Sequence, residues 1–583
     1  MIKTLAGSIR QYRTPSVLTM IMMTVESLVE IFIPLLMGRL IDFGIQPGAM
    51  GEILRYGVML LSLALFQLLM GALSALYSAR AAAGLASNLR QDMYDRVQTF
   101  SFYNIDRFST ASIVTRLTTD VTNVQMAYQM ALRTAVRSPV LLVLAVVFSF
   151  RISREIASMF LLVIPVLSVG LFLLVRKAFP LFQKVFKTYD KLNNVVQEDL
   201  RGIRVVKTFN REDSEIDKFQ GVSSTIYRDF SRAERLITLI FPLMQTCVYT
   251  LLIVVFWLGA QGILESGNNP ALGLTAGSLT ALLSYQMQIV MSLMMLCMIF
   301  TMLMISQASA ERIAQVLTEE STIQNSADPL KEALDGSIRF ENVGFVYDAG
   351  ADKRVLDGIN LDIASGETIG ILGGTGSAKS SLVQLIPRLY DATEGAVFVG
   401  GADVRAYDLE TLREAVAMVL QKNELFSGTI RENLRWGNPD ATEAELEEAC
   451  RLACAHEFIT GFAEGYDTKI EQGGTNLSGG QKQRLCIARA LLKRPKILIL
   501  DDSTSAVDTR TDSRIQEGFA HYIPETTKLI IAQRISSIEK ADRIVVLDDG
   551  RISGVGTHEE LLANNEIYRE VYDSQQKGGE ALA

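Results

Sequence analysis

The sequence is poor in the residues that usually carry redox or metal chemistry. Five cysteines and three histidines are spread over 583 residues. The cysteines lack the short spacings of a metal site, and two of them stand in apolar stretches, so we expect reduced, packed thiols rather than a disulfide framework. The net charge of −8 gives no indication of a nucleic-acid partner, and we expect none.

Charged residues are also missing from long stretches of the first 305 residues. A membrane-spanning helix needs about 20 apolar residues. The first apolar stretch is too long for a cleavable signal peptide and has no small-residue cleavage site, so we expect it to remain as a membrane anchor. Six stretches are candidate spans, the third having a shorter apolar core than the others: residues 16–37, 56–79, 139–150, 156–175, 236–264 and 272–306.

The distribution of basic residues predicts the orientation in the membrane. Six spans place both termini on one side, and Lys and Arg concentrate on the cytoplasmic side. Residues 176–235 are rich in Lys and Arg, whereas loops 43–52 and 265–277 contain none; Arg151 and Arg154 oppose the trend. We therefore expect a multi-pass protein of the cell membrane (the inner, or plasma, membrane of a bacterium) with both termini in the cytoplasm.

Two long segments on that side carry a helical rather than a loop-like sequence. About 45 residues separate spans two and three, and about 60 separate spans four and five, without being rich in Pro or Gly. Structureless loops of that length are uncommon. We expect spanning helices that continue into the cytoplasm and turn back through short crosswise helices near residues 104–109 and 209–212.

Two features inside the spans bear on transport. Glu26 and Glu30 stand four residues apart in the first span, and a carboxylate at membrane depth is costly unless it has a cationic partner or faces a cavity. An ion pair and a role in a transport pathway both stay open. The methionines of the last span fit either plain packing or a cavity for varied apolar shapes. They are Met287, Met291, Met294, Met295, Met298, Met302 and Met304.

A polar linker, residues 318–335, separates residues 1–317 from residues 336–583, which are typical of a soluble α/β domain. Within the latter, residues 367–372 read as a strand that leads into a glycine-rich loop, a Lys-Ser pair and an apolar helix. This order predicts a P-loop, in which backbone N–H groups surround phosphates, Lys379 reaches the β- and γ-phosphates and Ser380 holds Mg²⁺. Ala378 takes the place usually held by glycine. The expected ATP contacts are Gly373, Gly374, Thr375, Gly376, Ser377, Ala378, Lys379, Ser380 and Ser381.

Two further motifs follow the P-loop. The apolar run 497–500 ends in Asp501, an acid placed to hold Mg²⁺ through water. The segment Leu477-Ser478-Gly479-Gly480-Gln481 (LSGGQ) stands about 100 residues after the P-loop and about 20 residues before that acid. On these motifs the sequence resembles the ATP-binding cassette (ABC) exporter family over essentially its whole length.

The resemblance implies an all-α six-helix transmembrane domain followed by an α/β P-loop nucleotide-binding domain. It implies that Tyr347 stacks on adenine and that Gln421 contacts Mg²⁺ and senses the membrane domain. The two cytoplasmic turns would be coupling helices, the second docking on the partner's nucleotide domain. In this family two cassettes dimerise head to tail, and Asp508, in the loop 505–508, crosses the interface. The partner's ATP would then be contacted in trans by Leu477, Ser478, Gly479, Gly480 and Gln481.

The sequence departs from the family pattern at two positions. Asp502 stands where the family usually has the glutamate that positions the attacking water, and one methylene less withdraws the carboxylate by about 1.5 Å. General-base help is worth roughly 10²- to 10⁴-fold, and small misplacements forfeit much of it. Gln533 stands where the family has a histidine that contacts the γ-phosphate. The three histidines of the chain stand elsewhere, at His456, His521 and His558.

Both departures, beside an intact LSGGQ segment, resemble the degenerate-site subunit of heterodimeric bacterial multidrug-type ABC exporters. The implied ATPase is a heterodimer in the lipid bilayer, whose partner carries glutamate and histidine at the matching positions. This chain's own site, with Asp502 as a weak substitute for glutamate, binds ATP and Mg²⁺ and hydrolyses poorly. The substrate would be hydrophobic or amphipathic. The alternatives are a homodimeric exporter and a non-transporting, ATP-gated regulator.

Overall fold

The computed structural model describes residues 1–333, 335–347, 353–503 and 507–580. The chain forms two compact units, one of Met1–Gln98 with Ala111–Glu319 and one of Thr99–Thr110 with Glu320–Ala583. The short segment Thr99–Thr110 thus belongs to the second unit, although the helices on either side of it belong to the first. All five cysteines are free thiols, as expected.

The first unit is all-α. Its long helices are joined by short connections, and two π-helical turns, Leu40–Ile45 and Arg116–Asp120, interrupt the regular geometry. Its α-helices are α1 Ile2–Gly7, α2 Arg13–Glu30, α3 Phe32–Arg39, α4 Met50–Gln98, α6 Thr110–Thr115, α7 Val121–Ile152, α8 Arg154–Thr208, α9 Glu212–Thr238, α10 Ile240–Ser266 and α11 Ala276–Thr318; α5 lies in the second unit.

Among the residues that the structure describes, six helical segments are long and apolar enough to cross a membrane, which confirms the six expected spans. The fourth and fifth segments have 55 residues each, whereas about 20 residues span the hydrocarbon core. The surplus length accounts for the long, helix-like sequences between the spans. The six segments are Arg10–Ile45, Met50–Gln98, Thr110–Ile152, Arg154–Thr208, Glu212–Ser266 and Ala276–Thr318.

The two expected turns differ from each other. The first contains a short helix, α5 Phe102–Phe108, whose N-terminus is capped by reciprocal hydrogen bonds between Ser101 and Asn104. At the second turn the expected crosswise helix is wrong, because only Phe209–Arg211 separate α8 from α9. Acidic residues fill the first turn of α9 and suit its positive end, so this helix begins at once.

The two acids of the first span share one cationic partner. The Arg137 guanidinium lies 2.7 Å from Glu30 Oε2 and 3.5 Å from Glu26 Oε1. Both carboxylates therefore form ion pairs with a cation of the same chain, which supports the ion-pair interpretation.

The methionines of the last span give a mixed picture. An apolar groove of about 450 Å³ lies between α8 and α11, lined by Phe172, Phe179 and Phe300 among others, and Met304 is the methionine of this set that lines it. Four others are turned outward and are about half exposed: Met287, Met291, Met295 and Met298.

The second unit is an α/β domain. Its helices are α5, α12 Lys379–Gln384, α13 Leu409–Ala415, α14 Ile430–Arg435, α15 Glu443–Leu452, α16 His456–Thr460, α17 Gly479–Leu492, α18 Thr509–Tyr522, α19 His558–Asn564 and α20 Glu566–Glu580. Its strands are β1 Ile338–Phe345, β2 Leu356–Ile363, β3 Thr368–Gly373, β4 Glu394–Val399, β5 Ala402–Asp403, β6 Val416–Val419, β7 Gly428–Thr429, β8 Lys469–Ile470, β9 Ile497–Asp501, β10 Thr527–Ile531, β11 Arg543–Asp548 and β12 Arg551–Gly556.

The main sheet has the order β12-β11-β3-β10-β9-β6, and every pairing except β11–β12 is parallel. A smaller antiparallel sheet has the order β2-β1-β4-β5. Strand β9 is buried on both faces: Leu498 and Leu500 join one hydrophobic core, and Ile497 and Ile499 join the other. A central parallel strand with helices or sheet on both sides therefore reads as a continuous apolar run.

Candidate active site

The predicted nucleotide-site residues meet at one edge of the main sheet. The neighbouring strands β3, β10, β9 and β6 are parallel, so their carboxyl ends lie together. The P-loop follows β3, Gln533 follows β10, Asp501 ends β9 and Gln421 follows β6. Ligands of open α/β sheets bind at this edge, because the loops that leave the strands converge there.

A cavity of about 570 Å³ occupies this edge, a volume in the usual range for small-molecule sites. Ser377 is not among its lining residues, and its side chain is buried. The predicted residues that line the cavity are Tyr347, Gly373, Gly374, Thr375, Gly376, Ala378, Lys379, Ser380, Ser381, Gln421, Asp501, Asp502 and Gln533. The sequence did not point to its apolar wall, which is formed by Val355, Leu372, Ile531 and Val571.

The P-loop lysine is folded over its own loop. Lys379 Nζ donates to the carbonyl oxygens of Gly373 and Gly374, each at 2.8 Å. Burial lowers the pKa of Lys379, against the opposing effect of the nearby Asp501 and Asp502 carboxylates. The amine is thus held inside the cavity, at the N-terminus of α12, where phosphate groups bind in P-loops.

The backbone of the loop is tight at two points. A Cβ on Gly373 would lie 2.3 Å from the Leu547 carbonyl oxygen, so only glycine fits there. Ala378 has φ +71° and ψ 22°, the left-handed conformation that disfavours any side chain. The alanine that replaces the usual glycine is therefore accommodated with backbone strain.

Two hard oxygen donors stand where Mg²⁺ is expected. Ser380 Oγ donates to Asp501 Oδ1 at 3.0 Å. Burial raises the pKa of Asp501, the neighbouring Asp502 adds to this, and the Ser380 hydrogen bond and Lys379 oppose it. Mg²⁺ is commonly held by one or two protein oxygens together with substrate phosphates, and this pair fits that requirement.

The carboxylate of Asp502 is occupied by side-chain amides. Gln533 Nε2 donates to Asp502 Oδ2 at 2.8 Å, and Gln421 Nε2 lies 3.4 Å from the same oxygen. Burial raises the pKa of Asp502 above its usual value, and these two hydrogen bonds offset only part of that rise. Asp502 is 8% exposed and has φ +49°. The two departures from the family pattern are therefore in direct contact with each other.

Tyr347 also lines the cavity. Its hydroxyl and the Ser381 hydroxyl form a 2.8 Å hydrogen bond. Its ring packs edge-on against Phe345 and Tyr390, with ring centroids 4.8 and 5.2 Å apart. This packing fixes the ring while leaving 39% of the residue exposed.

The LSGGQ segment does not line this cavity. Ser478 caps α17: its Oγ accepts from the Gln481 N–H, and its own N–H donates to Gln481 Oε1 at 2.9 Å. Asp508 caps α18 by accepting a 2.9 Å hydrogen bond from the Thr511 N–H, and hydrogen bonds of this kind lower the pKa of Asp508. Of the expected interface loop, Ser505 and Ala506 lie outside the described residues.

Sequence reasoning missed two side chains that support the site. Tyr390 packs against Tyr347 and donates to Asp106 of α5 at 2.6 Å. Gln575 of α20 contacts the backbone around Gln533. Neither belongs to a motif, and each lies more than 40 residues from the residue it supports, so no local pattern marks it.

Comparisons with known proteins agree with this arrangement. The family model for the ABC transporter transmembrane region matches residues 16–293, and the model for the ABC transporter matches residues 356–505. The chain is 35% identical over 570 residues to the uncharacterized ABC transporter ATP-binding protein YfiB of Bacillus subtilis (strain 168), with 97% of each chain covered. It is 36% identical over 573 residues to the uncharacterized ABC transporter ATP-binding protein Rv1273c of Mycobacterium tuberculosis (strain ATCC 25618 / H37Rv), again with 97% of each covered.

A solved structure has the same fold. The structure of a bacterial Atm1-family ABC exporter with ATP bound matches with a TM-score of 0.80 at 23% identity, covering 97% of this chain and 99% of that chain.

Proposed function

This chain belongs to the ABC transporter family, and we propose that it is one subunit of a heterodimeric, ATP-driven exporter. Its own P-loop site would retain ATP and hydrolyse it slowly, and its LSGGQ segment would complete a competent site on the partner subunit. The observation that carries this proposal is the 2.8 Å hydrogen bond between Gln533 Nε2 and Asp502 Oδ2.

The residues that line the cavity support ATP binding, because each part of the nucleotide has a side chain suited to it. Tyr347 offers an aromatic face to adenine, and Lys379 offers a cation to the phosphates. Ser380 and Asp501 would hold Mg²⁺, with Gln421 beside them; when bound, the ion would neutralise phosphate charge. These residues all line one cavity, which supports nucleotide binding by the chain's own half of the site.

Slow hydrolysis follows from the contacts of Asp502. A general base must reach the water that attacks the γ-phosphate, and Asp502 is one methylene shorter than the usual glutamate. Its Oδ2 already accepts from Gln533, so this oxygen is directed at the amide instead of at an attacking water. The neutral amide of Gln533 also cannot supply the positive charge that an imidazolium could place near the developing phosphate charge.

The LSGGQ segment supports the role in trans. It stands outside the chain's own cavity, and its capped helix α17 begins at Gly479 with an ordered N-terminus. A helix N-terminus attracts phosphate. In a head-to-tail dimer this end would face the partner's ATP, with Asp508 at the interface.

The proposed complex lies in the cell membrane with both termini in the cytoplasm. ATP binding would close the two cassettes, and coupling segments near residues 102–108 and 209–212 would pass that closure to the spans. The substrate would be hydrophobic or amphipathic. The apolar groove between α8 and α11, which includes one cation, Arg176, is compatible with such a ligand.

The first experiment is isolation of the tagged chain from native membranes, followed by mass spectrometry of what co-purifies. We expect a stoichiometric second subunit with glutamate at the position that matches Asp502 and histidine at the position that matches Gln533. Recovery of this chain alone, as an active dimer, would support the homodimeric exporter and make Asp502 its working base.

A second experiment restores the family residues. We expect Asp502→Glu with Gln533→His to raise ATP turnover per complex, and Lys379→Ala in the same variant to abolish the gain. An unchanged turnover would contradict a weak site. A complex that changes conformation with ATP but moves no substrate would favour the ATP-gated regulator.

A further inference from the structure

The backbone around and after Gln533 is held by one side chain of helix α20. Gln575 Nε2 donates to the Gln533 carbonyl oxygen at 2.7 Å, and Gln575 Oε1 accepts from the Ile535 N–H at 3.0 Å. The Gln575 amide thus hydrogen-bonds to one backbone acceptor and one backbone donor, on the two sides of Arg534.

The strand ladder does not hold this part of the chain. Strand β10 ends at Ile531, and the last contact with β3 is the 3.3 Å hydrogen bond from the Ala532 N–H to the Ile371 carbonyl. Beyond it, backbone groups need other partners. Gln575 supplies such a partner to the backbone of Gln533, the residue whose side chain contacts Asp502.

Helix α20 is itself firmly anchored. Tyr568 is fully buried, its hydroxyl lies 2.7 Å from His558 Nδ1, and its N–H donates to Asn565 Oδ1 at 2.9 Å. Val571 lines the nucleotide cavity. Tyr568, Val571 and Gln575 are spaced by three and four residues, so they lie on one face of the helix. One face of α20 therefore contacts the hydrophobic core, the wall of the nucleotide cavity and the backbone of residues 533–535.

We infer that Gln575 is a positioning residue for Gln533. By fixing the backbone on both sides of Arg534, it sets the direction in which the Gln533 amide reaches the Asp502 carboxylate. The consequence for ATP retention rests on the proposed function, since a site that hydrolyses slowly keeps its ATP for as long as this contact persists. The positioning itself does not depend on how fast the site turns over.

The test compares Gln575→Ala with Gln576→Ala in the full-length chain, purified with whatever subunit it assembles with. Both glutamines are exposed on α20, and no side-chain hydrogen bond of Gln576 occurs within the described part of the chain. Hydrogen–deuterium exchange of residues 533–538 should become faster in Gln575→Ala and stay at the wild-type rate in Gln576→Ala.

The second readout is the time for which this chain's P-loop keeps radiolabelled ATP after a chase with unlabelled ATP. We expect Gln575→Ala to shorten it roughly tenfold, the equivalent of one hydrogen bond. In a Gln533→Ala background, Gln575→Ala should have no further effect on this time, because Gln575 acts through Gln533.

The outcomes separate the two proposals. If wild-type ATP leaves this site as fast as it leaves the partner site, the weak-site function fails, while the comparison of the two glutamine variants still decides the positioning. Equal exchange and equal retention in Gln575→Ala and Gln576→Ala would overturn the inference. So would an undiminished effect of Gln575→Ala in the Gln533→Ala background.

Discussion

The hydroxyl of Tyr390 donates a 2.6 Å hydrogen bond to Asp106 Oδ2. Asp106 belongs to α5, and the Tyr390 ring lies edge-on to Tyr347 at the nucleotide cavity. Burial and the Asp106 carboxylate both raise the pKa of Tyr390, so the phenol stays a proton donor. Tyr390 therefore connects Tyr347, the residue expected to stack on adenine, with α5, which in the sequence lies between two helices of the first unit.

Tyr390→Phe should loosen α5 without disturbing the ring packing. The variant loses one hydrogen bond to a charged acceptor, a cost of about 1.5–3 kcal/mol. Faster hydrogen–deuterium exchange is expected over residues 102–108, with little change in the P-loop peptides. The control is Tyr407→Phe, which removes a 2.7 Å hydrogen bond to the Val399 carbonyl elsewhere in the domain. Equal acceleration of α5 exchange in both variants would contradict a specific role of Tyr390.

The parts of this molecule that follow from local sequence were predictable. Each of the six spans contains a strongly apolar stretch with few charges, and the P-loop needs a strand, tight glycines and a helix within 20 residues. Asp501 follows the apolar run of a strand whose two faces are buried. These features can be read from the sequence because their causes, which are hydrophobic periodicity, glycine conformation and strand burial, act over a few consecutive residues.

Contacts between distant residues were not predictable. Nothing in the sequence pairs Glu26 and Glu30 with Arg137, more than 100 residues away, or assigns Thr99–Thr110 to the second unit. The two glutamine contacts on Asp502 likewise come from residues that follow β6 and β10, which flank β9 only in the folded sheet. The sequence identified the unusual residues, and the fold determines that they touch each other.

Ala378→Gly should stabilise the second unit. Ala378 adopts φ +71°, where a Cβ costs roughly 1–2 kcal/mol and glycine carries no such penalty. We expect a net gain of about 1 kcal/mol, seen as a higher thermal midpoint of the purified full-length chain. The matched control is Ala449→Gly in helix α15, where the same change should cost about 1 kcal/mol or more, because a buried methyl group is lost as well. Destabilisation by both substitutions would contradict strain at Ala378.

Gly38→Ala should destabilise the first unit. A Cβ on Gly38 would lie 2.6 Å from the Gly277 carbonyl oxygen, so α3 and α11 would have to separate. Next to this contact, Asp42 accepts hydrogen bonds from the Gly277 N–H at 2.8 Å and from Thr275 Oγ1 at 2.6 Å, which caps α11. Overpacking of this kind typically costs about 1–3 kcal/mol.

Gly57→Ala is the control for that substitution, because its Cβ would meet no atom within 4 Å in the interior of α4. Alanine there should be neutral or slightly stabilising. The measurement is the thermal midpoint of the full-length chain in detergent or lipid. If both variants keep the wild-type midpoint, the backbone contact between α3 and α11 is not tight.

Glu367→Gln should remove a pH-dependent part of the stability of the nucleotide domain. Arg543 binds Glu367 through two hydrogen bonds, Nε to Oε1 at 2.5 Å and Nη2 to Oε2 at 2.9 Å. Burial raises the pKa of Glu367, but these bonds and the Ala364 N–H outweigh it and leave the pKa below its usual range. A carboxyl group with a depressed folded-state pKa stabilises the fold above its unfolded-state pKa, about 4.3, and loses this contribution as the pH falls through the folded-state value.

The variant should therefore be less stable than the wild type at pH 7, by about 1–2 kcal/mol for a charge-assisted pair that is partly exposed. The difference between their thermal midpoints should stay constant down to about pH 5 and narrow below about pH 4.3. Glu341→Gln is the control, because its ion pair with Arg339 has both side chains about half exposed and should contribute less than about 0.5 kcal/mol. A difference that widens on acidification would mean that Glu367 is not the carboxylate stabilised by Arg543.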